Sequence, residues 1–200
     1  IAEALAGILE INDEEVAADY SEKAIQTSFF NAPVREMTFC PGCPHRASFW
    51  SIHQVLQLDN RNGFVCGDIG CYTLAILPTG FSTLKTLHAM GSGTGIASGF
   101  GQLARYGLDQ PVLSVCGDST FFHSALPALV NAVHHKADIT LVVLDNSGTA
   151  MTGFQPHPGL EVDAQGNSAM KLDIRSICEA MGITVQISDP FDFATTQQRL

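Results

Sequence analysis

Basic residues are scarce in this 200-residue sequence, and long apolar runs are missing from it. Lys and Arg number 10 against 20 Asp and Glu, which gives a formal net charge of −10 with no basic cluster. This balance argues against nucleic acids and anionic membranes as partners. Because no stretch approaches the roughly 18 apolar residues of a membrane span and no secretory signal pattern is visible, we expect a cytoplasmic location and no membrane contact.

The apolar content is that of a folded α/β domain, since hydrophobic residues make up 46% of the chain. The sequence opens with Ile1 rather than Met and ends in a segment, DPFDFATTQQRL, that resembles the start of a helix. We therefore expect a piece of a longer polypeptide. Residues 1–38 are polar and are predicted to be a linker or the tail of an upstream domain, and residues 39–200 a domain truncated at its C-terminus.

Apolar periodicity predicts short buried strands that alternate with helices. Strands are predicted over 64–66, 111–116, 139–144 and 183–187, and helices over 45–58, after the glycine-rich turn that begins at Met90, over 121–136 and up to 178–181. Continuous apolar strands alternating with helices indicate a doubly wound, mostly parallel α/β sheet. Ligands of such sheets bind at the carboxyl ends of the strands.

Polar residues follow two of these strands directly. The strand PVLSVC leads into Asp118, and the strand ITLVVL leads into Asp145 and Asn146. Adjacent parallel strands would bring Asp118 and Asn146 together, and carboxylate and amide oxygens are ligands suited to Mg²⁺. The helix that begins after Ser119 would direct its amide groups to the same place, where a phosphate is favoured. Taken singly, each residue also fits a plain cap or turn role.

These residues and their spacing resemble the diphosphate-binding motif of thiamine-diphosphate enzymes, with 27 residues between Asp118 and Asn146 and Ser119 in place of the usual third glycine. The run LDNSGTAMTGFQPHPG is similar to the variant found in 2-oxoacid:ferredoxin oxidoreductases. The resemblance implies that Asp118, Asn146 and the Gly148 carbonyl hold Mg²⁺ on the diphosphate. The cofactor-binding set that it implies is Gly117, Asp118, Ser119, Thr120, Asn146, Gly148, Thr149, Met151 and Thr152.

Four motifs in order, CPGCPHR, GDIGCYTL, GDSTFFHSALPALVNAV and TAMTGFQPHPG, resemble the large subunits of indolepyruvate ferredoxin oxidoreductases. The resemblance covers residues 39–160. It implies thiamine-diphosphate-dependent oxidative decarboxylation of aryl 2-oxo acids, with indolepyruvate as the first substrate expected. Coenzyme A would take the acyl group and ferredoxin the electrons. A second, small subunit and the remaining domains of the longer chain are the other partners implied.

Clustered cysteines favour a metal or redox role. Cys40 and Cys43 are spaced to grip one metal centre around a tight Pro-Gly turn. The resemblance adds Cys71 as a third thiolate of a [4Fe–4S] cluster and implies a fourth cysteine beyond Leu200, with Cys66 as the alternative within the chain. Zinc, a redox dithiol and simple packing of the thiols stay open, and His45 is a further potential zinc ligand.

Two histidines lie beside the cofactor motifs and are candidate catalytic residues. His123 follows the GDST motif, and His157 lies in QPHPG, where flanking prolines suggest a lid or substrate contact as readily as a plain ordered loop. Pro127 is expected to kink or interrupt the helix that carries His123. The glycines at 91, 93 and 95 match a dinucleotide fingerprint only loosely, and we interpret them as allowing close approach of the backbone to the cofactor.

No acidic residue stands out as the glutamate that activates the cofactor in similar enzymes, so that residue is expected outside this chain. The alternatives that remain are a non-oxidative thiamine-diphosphate decarboxylase and a non-enzymatic, zinc-stabilised interaction module. The three possibilities differ in what they require of Cys40, Cys43 and Cys71.

Overall fold

The computed structural model describes residues 21–27 and 35–200. These residues divide into two compact units, one that contains 21–27 and 35–36 and one that spans Met37–Leu200. The first unit contributes a helical segment over 21–27. Most of the predicted linker, residues 1–38, lies outside the described residues. Within the described part of the chain, no helix is long and apolar enough to cross a membrane.

Three parallel strands form the sheet of the larger unit, in the order β1-β2-β3. Their bounds are Phe64–Cys66 for β1, Val112–Gly117 for β2 and Thr140–Leu144 for β3. The register pairs Cys66 with Ser114 and Gly117 with Leu144, so the residues that follow β2 and β3 emerge side by side. These three strands confirm three of the predicted strands. The bounds of β1 are those predicted, and the ends of β2 and β3 differ from the prediction by at most one residue.

Sequence signals mark the ends of three of the α-helices. The α-helices are α1 (Pro44–Asp59), α2 (Ser92–Gln102), α3 (Leu126–His134), α4 (Ile174–Ala180) and α5 (Phe193–Arg199). Pro44 is the first residue of α1, where a backbone N–H would have no acceptor within the helix, so its absence costs nothing. Asn60, in the left-handed conformation, follows the last turn of α1. Asp173 and Asp192 cap α4 and α5 by accepting backbone N–H bonds from Ser176 and Thr195.

Helices cover both faces of the sheet. Successive side chains of β2 point to opposite faces, so each face has its own buried side chains. Leu113 and Val115 belong to a buried cluster with Phe49 and Ile52 of α1. On the opposite face, Cys116 packs in the cluster that contains Leu129 of α3, and Val112 packs with Ala97 of α2. The structure thus confirms the predicted α/β fold with a parallel sheet between helices.

The helix after β2 changes its winding before Pro127. It starts as a single α turn, Asp118–Thr120, widens to a π turn over Phe121–Ala125, and continues as α3. In the wide turn the N–H of Leu126 donates to the carbonyl of Phe121, five residues back. Pro127 has no N–H to give to the preceding turn, so the predicted interruption takes the form of a π turn.

The prediction of a strand over 183–187 is wrong. Ile183 and Val185 pack against the cluster around Phe121, which accounts for the apolar pattern. The N–H of Ile183, however, donates back to Cys178 and closes the end of α4, and Ile187 is 62% exposed. Among the described residues, β3 has a ladder partner only in β2, so apolar packing here occurs without strand pairing.

Candidate cofactor site at the carboxyl edge of the sheet

Asp118 is the centre of the site, because it lies directly after β2 and its side chain is buried. Its Oδ1 accepts the N–H of Ser119 at 2.8 Å. Its Oδ2 accepts the N–H groups of Asn146 at 3.3 Å and Gly148 at 3.2 Å, and His157 Nε2 lies 3.1 Å from the same oxygen. Backbone donors from two strand ends thus fix the carboxylate.

Asn146 follows β3 and joins Asp118, as the strand order predicts. Its backbone N–H donates to Asp118, whereas its side-chain Oδ1 is buried and has no hydrogen-bond partner among the residues that the structure describes. A buried amide oxygen without a partner is costly. Asn146 therefore presents an acceptor that a cation would satisfy, beside a buried carboxylate.

The other residues of the predicted cofactor set lie around this pair. Thr149 donates its hydroxyl to Ser119 Oγ at 3.0 Å, which links the two motifs across the strand ends. A short helical turn, Ala150–Thr152, follows, and Met151 is 58% exposed. The structure therefore brings these residues to one edge of the sheet and leaves one apolar side chain open to solvent there.

Tyr72 ties the loop after β1 to this edge. Its hydroxyl donates to the Ile69 carbonyl at 2.9 Å, accepts the N–H of Gly117 at 3.0 Å and lies 3.2 Å from Thr120 Oγ1. Burial raises the pKa of Tyr72 to about 12, so the phenol stays neutral and keeps its proton for the carbonyl. Tyr72 was not among the residues predicted from sequence.

Asp68 is a second buried carboxylate that sequence reasoning missed. It follows β1 as Asp118 follows β2, and its side chain is fully buried. Its two oxygens accept the N–H of Gly91 at 2.8 and 2.9 Å, and Oδ1 also accepts the N–H of Ile69. Burial raises its pKa, although these N–H bonds and the charge of His123 oppose the rise. The repeated Gly-Asp pair after a buried strand was the available clue.

The glycine-rich turn before α2 is held by this carboxylate. Gly91 has φ +83, and a Cβ there would lie 2.4 Å from Ser124 Oγ. A Cβ on Gly93 would lie 2.5 Å from the Gly67 carbonyl oxygen. These two glycines therefore allow close packing of the turn against the loop after β1 and the helix after β2.

The two candidate catalytic histidines have different environments. His123 is exposed, and its Nδ1 lies 2.7 Å from the carbonyl oxygen of Ser119, to which it donates. His157 is 9% exposed and stacks on Phe122 at 5.8 Å between ring centroids. His123 thus faces solvent at the site, whereas His157 is enclosed against Asp118.

The predicted cysteine ligands lie at the starts of two helical segments. Cys43 precedes α1, and Cys71 opens the 3₁₀ segment Cys71–Ile76. Burial raises the pKa of Cys71, and the charges of Cys43 and Cys40 raise it further. Cys66 instead is buried in β1, and this burial raises its pKa to about 11. The described residues contain no group of three or more His, Cys, Asp or Glu placed around one metal ion.

With this geometry, residues 68–199 match the family model of the C-terminal TPP binding domain of thiamine pyrophosphate enzymes, thiamine pyrophosphate being thiamine diphosphate. The chain belongs to this family, and the family resemblance drawn from its motifs is confirmed. The matched region begins at Asp68 and includes both strand ends of the site.

Relatives with a more specific name are proteins called indolepyruvate oxidoreductase subunit IorA. This chain is 43% identical to the one from Methanothermobacter thermautotrophicus, over 83% of this chain and 27% of that protein. It is 40% identical to the Methanothermobacter marburgensis protein, over 90% of this chain and 28% of that protein. It is 37% identical to the Thermococcus kodakarensis protein, over 99% of this chain and 31% of that protein. The chain thus spans less than a third of these relatives' length.

A solved structure supports the fold assignment. The 2-oxoglutarate:ferredoxin oxidoreductase from Magnetococcus marinus, with 2-oxoglutarate, coenzyme A and succinyl-CoA bound, matches with a TM-score of 0.59 and 18% identity. The match covers 82% of this chain and 59% of that chain. At this identity the likeness concerns the fold alone.

Replacing Tyr72 by Phe should loosen the start of the Asp118 segment. The buried N–H of Gly117 would lose its acceptor, which costs about 1–3 kcal/mol. Amide hydrogen exchange at Gly117 should accelerate accordingly in the full-length protein. Tyr106→Phe is the matched control because Tyr106 is 81% exposed. Unchanged exchange at Gly117 in Tyr72→Phe would contradict the role given to the hydroxyl.

The raised pKa of Asp68 should appear in the pH dependence of stability. An acid whose pKa is raised by folding contributes stability that is complete below its ordinary value, here 3.8, and is lost as the pH rises through the raised pKa. The melting temperature of the wild type minus that of Asp68→Asn should therefore fall as the pH rises from about 4 to about 7. A difference that grows with pH would refute the raised pKa.

Proposed function

We propose that this chain is the thiamine-diphosphate-binding part of a 2-oxoacid:ferredoxin oxidoreductase that decarboxylates aryl 2-oxo acids, indolepyruvate in particular. The observation that carries the proposal is the buried Asn146 Oδ1, which finds no partner within the described part of the chain and lies in the segment held by the Asp118 carboxylate. The 35–43% identity to proteins named indolepyruvate oxidoreductase subunit IorA supports the choice of substrate. Residues 39–200 form this cofactor domain within a longer, cytoplasmic polypeptide.

The oxygen atoms at the strand ends fit Mg²⁺. Asp118 supplies a carboxylate and Asn146 an amide oxygen, and the carbonyl of Gly148 completes the proposed protein ligands. Mg²⁺ usually retains water or substrate phosphate in its remaining positions. The helix that starts at Asp118 and the hydroxyl groups of Ser119 and Thr149 line the same edge, where they suit a diphosphate.

Thiamine diphosphate, when bound, supplies a carbanion and an electron sink for decarboxylation of the 2-oxo acid. The chain's own contribution is to bind and orient the diphosphate end through the proposed set, including Gly117, Thr120 and Thr152. The exposed Met151 provides apolar surface at the same edge. His123 is the solvent-facing candidate for proton transfer, with Nδ1–H on the Ser119 carbonyl and Nε2 left for a substrate group.

The cysteines fit the electron-transfer half of the proposal. In a [4Fe–4S] cluster each thiolate binds a different iron atom. The ligands of such a cluster therefore lie farther apart than the ligands of a single zinc ion. Cys71 directly precedes Tyr72, whose hydroxyl contacts Gly117 and Thr120. The cluster would thus lie close to the cofactor edge, with a fourth cysteine from the longer chain.

The complete reaction converts the 2-oxo acid and coenzyme A into an acyl thioester and carbon dioxide, and passes two electrons to ferredoxin. A small second subunit and the other domains of the longer chain are the proposed partners. The glutamate that activates the cofactor also comes from outside residues 39–200. This chain alone should therefore bind the diphosphate end without turnover.

Asp118→Ala should abolish Mg²⁺-dependent binding of thiamine diphosphate by the full-length protein. The substitution removes the carboxylate and leaves the N–H groups of Asn146 and Gly148 without their acceptor. Isothermal titration calorimetry with and without Mg²⁺ measures the loss. Asp109→Ala is the control, since the Asp109 side chain is 84% exposed. Normal cofactor binding by Asp118→Ala would show that the metal assignment is wrong.

Cys43→Ser should preserve thiamine-diphosphate binding but stop electron transfer to ferredoxin, because a serine oxygen is a poor substitute for a cluster thiolate. Iron and sulfide analysis of anaerobically purified protein, with a ferredoxin reduction assay, tests this. Cys178→Ala, which removes a thiol packed beside Phe121, is the matched control.

The outcome also separates the remaining alternatives. An active protein without iron would favour a non-oxidative decarboxylase, and tightly bound zinc without affinity for thiamine diphosphate would favour an interaction module. Iron with sulfide that survives in Cys43→Ser would remove Cys43 from the ligand set.

A further inference from the structure

The ring nitrogens of His157 have fixed roles. The N–H of Gly159 lies 3.1 Å from Nδ1, and a backbone N–H can only donate, so Nδ1 is the accepting nitrogen. Nε2 therefore carries the proton and donates it to Asp118 Oδ2 at 3.1 Å. The imidazole in this arrangement is neutral, and both nitrogens are used within the protein. His157 has no free nitrogen for a substrate proton.

The hydrogen bond from His157 is one of several that fix the Asp118 carboxylate. A carboxylate has about four acceptor sites on its two oxygens. Oδ2 receives three donors, which come from Asn146, Gly148 and His157, whereas among the described residues Oδ1 receives only the N–H of Ser119. Oδ1 is thus the oxygen with capacity left for a cation.

Packing holds the imidazole in this orientation. The ring stacks on Phe122 with an interplanar angle of 29°. A Cβ on Gly159 would lie 2.8 Å from both His157 Cε1 and Phe122 Cε2, so only glycine lets the chain turn this closely over the ring. The carbonyl of His157 accepts the N–H of Leu160, and that of Pro158 accepts the N–H of Leu172. The QPHPG loop is therefore anchored at the histidine and at the proline that follows it.

We propose that His157 is a positioning residue that orients Asp118 for the metal, rather than a catalytic group or a lid. This inference rests on the proposed function, since it concerns the same Mg²⁺ site. His157 adds a third donor on Oδ2 and fixes the rotation of the carboxylate, so that Oδ1 is the oxygen directed to the cation. Outer hydrogen-bond partners of metal ligands act in this way in other metal sites.

The test compares Mg²⁺ affinity, measured by calorimetry in the presence of thiamine diphosphate, among variants of the full-length protein. His157→Phe keeps the ring stacking but removes the donor, and the affinity should fall by about 10- to 100-fold. His157→Gln places an amide N–H at the same distance along the side chain and should recover part of the loss. Gly159→Ala should weaken binding by displacing an intact imidazole, and His135→Phe, at an exposed histidine, should not.

The outcomes separate this inference from the proposed function. If wild-type protein shows no Mg²⁺-dependent cofactor binding, both the positioning role of His157 and the proposed function are wrong. If wild type binds and His157→Phe binds equally well, or loses only thermal stability, the positioning role is overturned and the proposed function stands. Long-range ¹H–¹⁵N spectra of histidine-labelled wild type provide an independent readout. They should show His157 protonated at Nε2 and not at Nδ1, and the reverse tautomer would also overturn the inference.

Discussion

The hydrogen-bonded carboxylate of Asp118 is the interaction on which the site depends. Removing a carboxylate from water is costly unless several donors compensate for the lost solvation. The parallel register supplies them, because the pairing of Gly117 with Leu144 brings the amides of Asn146 and Gly148 beside the end of β2. The sheet thus fixes the position of a negative charge, which is the requirement for selective binding of a small divalent cation.

The loop after β1 makes this edge rigid. Tyr72 satisfies the Gly117 N–H from one side, and Asp68 holds the turn before α2 through the Gly91 N–H. Both contacts are buried, so they resist competition from water. The same loop carries Cys71, one residue before the Tyr72 that bonds to the Gly117 N–H.

Much of this arrangement was predictable from local sequence. Buried strands over 64–66 and near 112–117 and 140–144 appear as short apolar runs, and the residues after them fall at the carboxyl edge by topology alone. The approach of Asn146 to Asp118 followed from strand adjacency. These features depend on periodicity and order, which a single sequence contains.

Other features depend on packing between distant segments and were not predictable. The apolar pattern at 183–187 is the same whether Ile183 packs on a helix or pairs in a sheet. Asp68 looked like a loop residue because its acceptor role requires Gly91, 23 positions away. The enclosure of His157 depends on Phe122 and Gly159, and nothing in QPHPG reveals its contact with Asp118.

We propose that a cation on Asp118 and Asn146 holds the diphosphate of thiamine diphosphate. Electron paramagnetic resonance of Mn²⁺, used in place of Mg²⁺ in the full-length protein, can show this contact. Mn²⁺ should bind tightly only with the cofactor present and should show hyperfine coupling to its phosphorus nuclei. Tight Mn²⁺ binding without phosphorus coupling, or cofactor binding that needs no divalent cation, would contradict it.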